Sequence, residues 1–279
     1  MCPKMCQLQC VKLGFFVRKS DGRRIQRWRC PKCLKATSNA VRSPCYGQNK
    51  RHLNPRIRDL LCSAVSQRRI ALLLKVSRLT VARKFIFLSK QAALENKKLK
   101  PQELLKELYV DEMEDRIHTK LKPVSIALAV SEQRKILSHR VAKIRPKNLK
   151  LNQLSKSKYP SWIPTDRKRF KELVSSLKQT VHPEAKFYSD SKSSYCKPIQ
   201  KSFPKSRHYR YPSRRAVVAG QGEMKEGGRD PLFALNHTCA SLRANINRLI
   251  RRTWCTSKKM EALSAHIELY TWFHNTVLT

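Results

Sequence analysis

Apolar positions change their spacing along this chain, and the changes mark its elements. Residues 11–17 and 24–28 carry β-prone side chains on either side of Ser20-Asp21-Gly22, which predicts two strands and a turn. From residue 54 the period becomes helical. Asn54-Pro55 is an N-cap followed by a proline suited to the first helical position, and Ile57, Leu60, Leu61, Ala64 and Val65 recur at helical spacing. A short helix over 68–74, a turn at Val76-Ser77 and a third helix over 79–90 follow, with Ala71, Leu72, Val76, Val81 and Phe85 as their core. That is the length and order of a helix-turn-helix.

Past a lysine-rich stretch the pattern turns to strands. Leu108-Tyr109-Val110 predicts a strand ending on Asp111, then an acidic turn, a second strand over 123–130 and a third over 135–144. Residues 145–165 are polar, basic and proline-punctuated, which predicts an exposed loop, and 167–178 return to helical periodicity. The run 185–190 is a further strand, again ending on an acid, Asp190. A short helix over 193–203, a basic strand region over 207–218 and a glycine-bearing loop over 220–228 come next. The last section is helical, first with the stripe Leu235, Cys239, Leu242, Ile246, Leu249 and Ile250, then over 258–274 with Ser257 as cap. The expected fold class is a multidomain α+β or α/β chain. Its parts are a small cysteine-bearing module (1–50), the helix-turn-helix (51–93), a linker (94–106) and a mixed sheet with flanking helices (107–279).

Charge changes this picture. The chain has 60 Lys+Arg against 19 Asp+Glu, a formal net charge of +41. Such an excess repels itself unless a polyanion neutralises it, so nucleic acid is the leading expected partner. A spanning helix is not expected, because no apolar run approaches the ~20 residues it needs, and a signal peptide is not expected either. On the third helix Arg78, Thr80, Arg83 and Lys84 are expected to face outward, arginine and threonine toward base edges and lysine toward phosphate. Arg243, Arg248, Arg251 and Arg252 form the basic face of the penultimate helix and suit strand phosphates.

Cysteines and acids supply the candidate chemistry. Six of the ten cysteines fall in the first 45 residues. Cys30-Pro31-Lys32-Cys33 is a C-x₂-C knuckle, and Cys2, Cys6 and Cys10 precede it at looser spacing. Two cysteine pairs some distance apart are the pattern of a zinc ribbon holding a structural Zn²⁺. Cys30, Cys33 and Cys6 are the expected ligands, with Cys2 ahead of Cys10 for the fourth place. Cys62, Cys196, Cys239 and Cys255 are expected as small buried hydrophobes. Asp111 and Asp190, each after an apolar run in a chain this basic, are candidate ligands for Mg²⁺ or Mn²⁺, and the elements between them can bring them to neighbouring strands.

The order of ribbon, helix-turn-helix and strands with two separated aspartates resembles the transposases of small bacterial insertion sequences. The last section carries the most specific part of that resemblance: Leu242-Arg243, an arginine-rich run to Arg252, then Thr253 and Ser257-Lys258. The resemblance implies a ribonuclease-H-like catalytic domain with three metal-binding side chains: Asp111, Asp190 and, where relatives carry Glu, Asn236. Glu223 and Glu112 are the alternatives for the third place. It also implies two Mg²⁺ ions ~3.5–4 Å apart, hydrolysis that frees 3′ ends of the element, and transfer of those ends to target DNA. The implied setting is a homo-oligomer on double-stranded DNA in the bacterial cytoplasm. A catalytically degenerate transposase, or a DNA-binding regulator without nuclease activity, is the competing expectation.

Overall fold

The computed structural model describes residues 9–19, 21–41, 43–99, 101, 103–213, 224–226, 228–250 and 254–279. The chain divides into two compact units, Met1–Arg56 and Ile57–Thr279.

The first unit is built on an antiparallel sheet of β1 (Val11–Val17), β2 (Arg24–Arg29) and β3 (Ala36–Ser38), in that order. The turn between β1 and β2 is closed by an ion pair between Arg18 and Asp21 and by Gly22 at φ +66°. Between β2 and β3 the C-x₂-C segment folds as a tight loop. The Leu34 N–H donates to the Cys30 carbonyl at 2.9 Å, and the Cys30 N–H to the Lys35 carbonyl at 3.0 Å. Leu34 adopts φ 56° there, a left-handed conformation rare for a branched side chain.

The second unit contains the helices α2 (Gln67–Leu73) and α3 (Arg78–Asn96), which follow α1 (Asn54–Leu61). Ser66 and Ser77 cap α2 and α3, each accepting a backbone N–H from the third residue beyond it, Arg69 and Thr80. Ile57, Leu61, Ile70, Val81, Phe85 and Leu88 are buried among these helices. Leu72, expected in that core, is 71% exposed, and Ile70, two positions earlier, points inward in its place. Helix α3 runs on into the lysine-rich stretch and packs on α8 (Met260–Phe273). Phe85 meets His266 edge to face at 5.4 Å, and the Asn96 amide donates to Glu268 Oε1 at 2.7 Å.

The sheet of this unit has five strands in the order β6-β5-β4-β7-β8. They are β4 (Leu105–Arg116), β5 (Pro123–Ser131), β6 (Ile136–Lys143), β7 (Val181–Asp190) and β8 (Arg207–Tyr211). β4, β5 and β6 form an antiparallel meander, while β7 and β8 run parallel to β4. Parallel neighbours need a crossover, and α5 (Asp166–Ser176) and α6 (Cys196–Ser202) lie in the two connections. One face of the sheet is covered by α5 and α6: Phe170, Leu173, Val174, Ile199 and Phe203 pack on Leu108, Val110, Ala127, Ala129 and Phe187. Each large side chain fully buried there contributes about 1.5–3 kcal/mol. On the opposite face α7 (Phe233–Asn245) lies against β4 and β5, and α8 against β6.

Several expectations are corrected by these elements. β4 does not end at Asp111 but runs to Arg116. Alternation accounts for this: Asp111, Met113 and Asp115 take one face and Glu112 and Glu114 the other, all in unbroken register with β5. The expected loop 145–165 contains α4 (Leu149–Lys158), whose N-cap Asn148 accepts from the Leu151 N–H at 3.2 Å. α7 stops at Asn245, five residues short of the stripe's end, because the Asn245 carbonyl takes the N–H of Ala64 at 2.7 Å and Ile246 turns extended. Ser257 does not cap α8. It is buried, its carbonyl takes the His118 N–H at 2.8 Å, and Lys259 occupies the cap position. Cys62 is buried as expected, but Cys255 is exposed. Among the described residues no helix is long and apolar enough to cross a membrane.

Candidate functional site

The register of β4, β7 and β8 lines up three rows of side chains on one face of the sheet. Glu107, Lys186 and Arg207 are paired across the three strands, and so are Tyr109, Tyr188 and Tyr209. Two residues further, Asp190 pairs with Tyr211, and Asp111 stands two residues past Tyr109 on β4. Because strand side chains alternate, all of these share a face. The rows are therefore ionic, aromatic and acidic in turn. α7 covers the neighbouring part of this face, over β4 and β5.

Asp111 is held from several sides. Its Oδ1 accepts the Glu112 N–H at 2.6 Å and the Tyr195 hydroxyl at 3.3 Å. Burial raises its pKa to about 6, and the Asp190 charge adds to that rise against the lowering by those hydrogen bonds. Asp190 closes β7, and its Oδ1 accepts the Lys192 N–H at 3.1 Å. A carboxylate whose ionisation is opposed by burial and by a neighbouring charge, as Asp111 is, is relieved by a bound cation, so the pair fits a divalent ion with oxygen preference. Mg²⁺ takes one or two protein carboxylates and completes its shell with water and phosphate oxygens. Among the described residues no group of three or more His, Cys, Asp and Glu side chains gathers to hold a metal.

The third position is occupied differently from the two aspartates. Asn236 lies in the first turn of α7, and its amide nitrogen donates to Asp230 Oδ2 at 2.7 Å. Asp230 is buried and also takes Lys225 Nζ at 2.8 Å and the Leu232 N–H at 3.0 Å. Burial works against its charge, yet these three donors hold its carboxyl below the ordinary range. The α7 side chain influenced by Asp111 is Cys239: burial, with the Asp111 charge behind it, pushes that thiol up to about 12. Glu112, an alternative third ligand, is ion-paired with Lys192. Glu223, the other alternative, lies outside the described residues.

No protein-family model matches the chain, and no curated protein does.

Tyr195 and Lys192 are not legible as site residues in the sequence, although both lie within five residues of Asp190. Tyr195 is buried, stacked on Phe170 at 4.4 Å with Lys192 Nζ 5.3 Å from its ring, so its hydroxyl reaches Asp111 from a fixed position. Asp230 gives no sequence signal either.

The basic candidates separate. Arg78 and Arg83 are found on α3, Arg78 exposed at its first position. Thr80 is half-buried, and its hydroxyl lies 2.9 Å from Ser77 Oγ within the cap of α3. Lys84 is 3% exposed, contrary to its expected outward position, because it falls on the stripe shared by Val81, Phe85 and Leu88. Arg248 lies beyond the end of α7, its guanidinium 5.3 Å over the Phe85 ring, and burial lowers its pKa. Arg243 remains on α7, where its charge favours ionisation of Asp115 against the larger effect of burial. Arg251 and Arg252 lie outside the described residues, as do Cys2 and Cys6. Of the expected zinc ligands, Cys30 is buried and Cys33 half-buried, on either side of the tight turn that follows β2.

Proposed function

We propose that this chain is a DNA strand transferase of the transposase kind, with Asp111 and Asp190 as its catalytic carboxylates. The observation that carries the reading is their placement on adjacent parallel strands, two residues past the paired Tyr109 and Tyr188 respectively and close enough for the Asp190 charge to act on Asp111, in a chain of net charge +41. The five-stranded mixed sheet with helices on both faces fits the ribonuclease-H-like domain implied by the resemblance. Arg78 and Arg83 of α3 fit contact with duplex DNA.

In this reading Asp111 and Asp190 would hold the divalent ion, with the Tyr195 hydroxyl fixing the Asp111 carboxylate. When bound, the ion supplies charge neutralisation at the phosphate being transferred and a more acidic water or hydroxyl. Lys192 keeps Glu112 paired and out of the ligand set. Asn236 contributes through its amide oxygen, since its nitrogen is committed to Asp230. A structural Zn²⁺ in the first unit, held by Cys30, Cys33 and two of Cys2, Cys6 and Cys10, belongs to the same proposal, as does a homo-oligomer working on DNA. The test is a strand-transfer assay with labelled DNA ends and Mg²⁺ or Mn²⁺. Cleaved and joined products support the proposal; binding without products supports the degenerate reading, in which Asn236 is the failed ligand.

A further inference from the structure

The aromatic row beside the acids has a use that sheet stability alone does not explain. Tyr109 and Tyr188 stack with centroids 5.0 Å apart and planes 22° from parallel; Tyr188 and Tyr209 follow at 5.5 Å and 19°. Tyr211 adds a fourth ring, 6.4 Å from Tyr188 and 18° from parallel. The rings form a column running across the strands. Cross-strand pairs of this kind stabilise a sheet by about 0.2–1 kcal/mol, and that role suits the inner pair. The outer ring is in a different position. β8 is the edge strand of the sheet, and Tyr209, 37% exposed, ends the column there.

One exposed cation stands beside the outer ring and suits a phosphate. Lys186 is neutralised by Glu107 at 2.8 Å, whereas Arg207, two residues before Tyr209 on the same face, is exposed and in no ion pair among the described residues. The acidic row lies one step of the pleat beyond the rings, about 7 Å by strand rise. A flat, uncharged π-system continuing the column past Tyr209 would thus have the Arg207 guanidinium on one side and Tyr211 on the other, with Asp190 one strand further in, paired with Tyr211. Nucleobases stack on aromatic rings in this way irrespective of sequence.

We propose that Tyr209 is a stacking site for an unpaired base of the DNA strand whose backbone passes Asp111 and Asp190, with Arg207 on an adjoining phosphate. This rests on the nucleic-acid reading of the acidic row, and it adds that the strand is held locally single-stranded there.

The test uses the full chain without divalent ions, at a salt concentration that suppresses non-specific binding. The probes are a short single-stranded oligothymidylate carrying one 2-aminopurine and a duplex of equal length. Expected is quenching of the 2-aminopurine on the native chain. Tyr209→Ala should lose the quenching and about 5- to 150-fold in single-strand affinity, with duplex affinity changed by less than about two-fold. Tyr209→Trp should retain both signals, which separates stacking from damage to the edge strand. Unchanged quenching and affinity in Tyr209→Ala, or equal losses on single strand and duplex, would overturn the proposal. Because no metal is present, this outcome is independent of cleavage. Activity that survives Asp111→Asn would defeat the transferase reading alone.

Discussion

Asp111 and Asp190 stand on neighbouring parallel strands at the same level, each two residues beyond one member of the stacked pair Tyr109 and Tyr188. That relation brings the two carboxylates into electrostatic reach of each other. It adds the Asp190 charge to burial as a cost of ionising Asp111, with measurable consequences.

The first consequence is a pH dependence of stability. Burial and the Asp190 charge raise the Asp111 pKa from 3.8 to about 6 in the folded chain. The fold therefore favours the protonated acid. This contribution is complete below about pH 4 and disappears as pH rises through about 6, a loss of roughly 3 kcal/mol at most. A divalent ion offsets the loss only where Asp111 is ionised. The increase in melting temperature on adding Mg²⁺ should be small near about pH 5 and larger near about pH 8, and Asp111→Asn should remove the difference. Equal shifts at both pH values would contradict the paired-carboxylate site.

Tyr195→Phe removes one hydroxyl and nothing else. Its bond to Asp111 at 3.3 Å is among the effects that lower the Asp111 pKa, so the substitution should raise that pKa further. The pH at which Mg²⁺ affinity develops should move upward, at a stability change of about 0.5–1.5 kcal/mol. Calorimetric titration of Mg²⁺ across pH measures it. An unmoved profile would remove Tyr195 from the site.

Arg83 and Lys84 are adjacent, and their substitutions should behave differently. Arg83 is less buried than its neighbour on α3, so Arg83→Ala should weaken duplex binding and reduce the magnitude of the salt slope by about 1 while leaving the melting temperature nearly unchanged. Lys84 is buried, so Lys84→Ala should act on stability, by about 0.5–3 kcal/mol, before it acts on DNA. Salt-dependent fluorescence anisotropy and thermal melts together decide between them.

In the first unit, elemental analysis is expected to find about one zinc per chain, lost in Cys33→Ser. Full metal content after that substitution would remove Cys33 from the ligand set.

Period and punctuation make much of this fold legible. The positions of β1 and β2, the three helices from Asn54, and β5, β7 and α8 follow from alternation and helical spacing, whereas the expected caps do not hold: Asn54 is itself helical and Lys259, not Ser257, precedes α8. Where these signals fail, a physical reason is visible. Consecutive acids disfavour a strand and predict an end at Asp111, but pairing of β4 with β5 outweighs that preference. α4 has no apolar stripe to announce it. Charge predicts Lys84 outward, although its spacing of three from Val81 and four from Leu88 puts it inside the helix packing. The two aspartates are legible, since each follows an apolar run. Tyr195 and the tyrosine column are not, because they depend on how a turn folds back and on strand register, which a linear pattern does not carry.

Cleavage of labelled duplex ends in Mg²⁺, measured beside DNA binding for Asp111→Asn and Asp190→Asn, tests the central claim most directly. The account predicts that the native chain nicks and joins DNA, and that either substitution abolishes both products while duplex affinity stays within about two-fold, because phosphate contacts lie elsewhere. Cleavage that persists in either variant would contradict it.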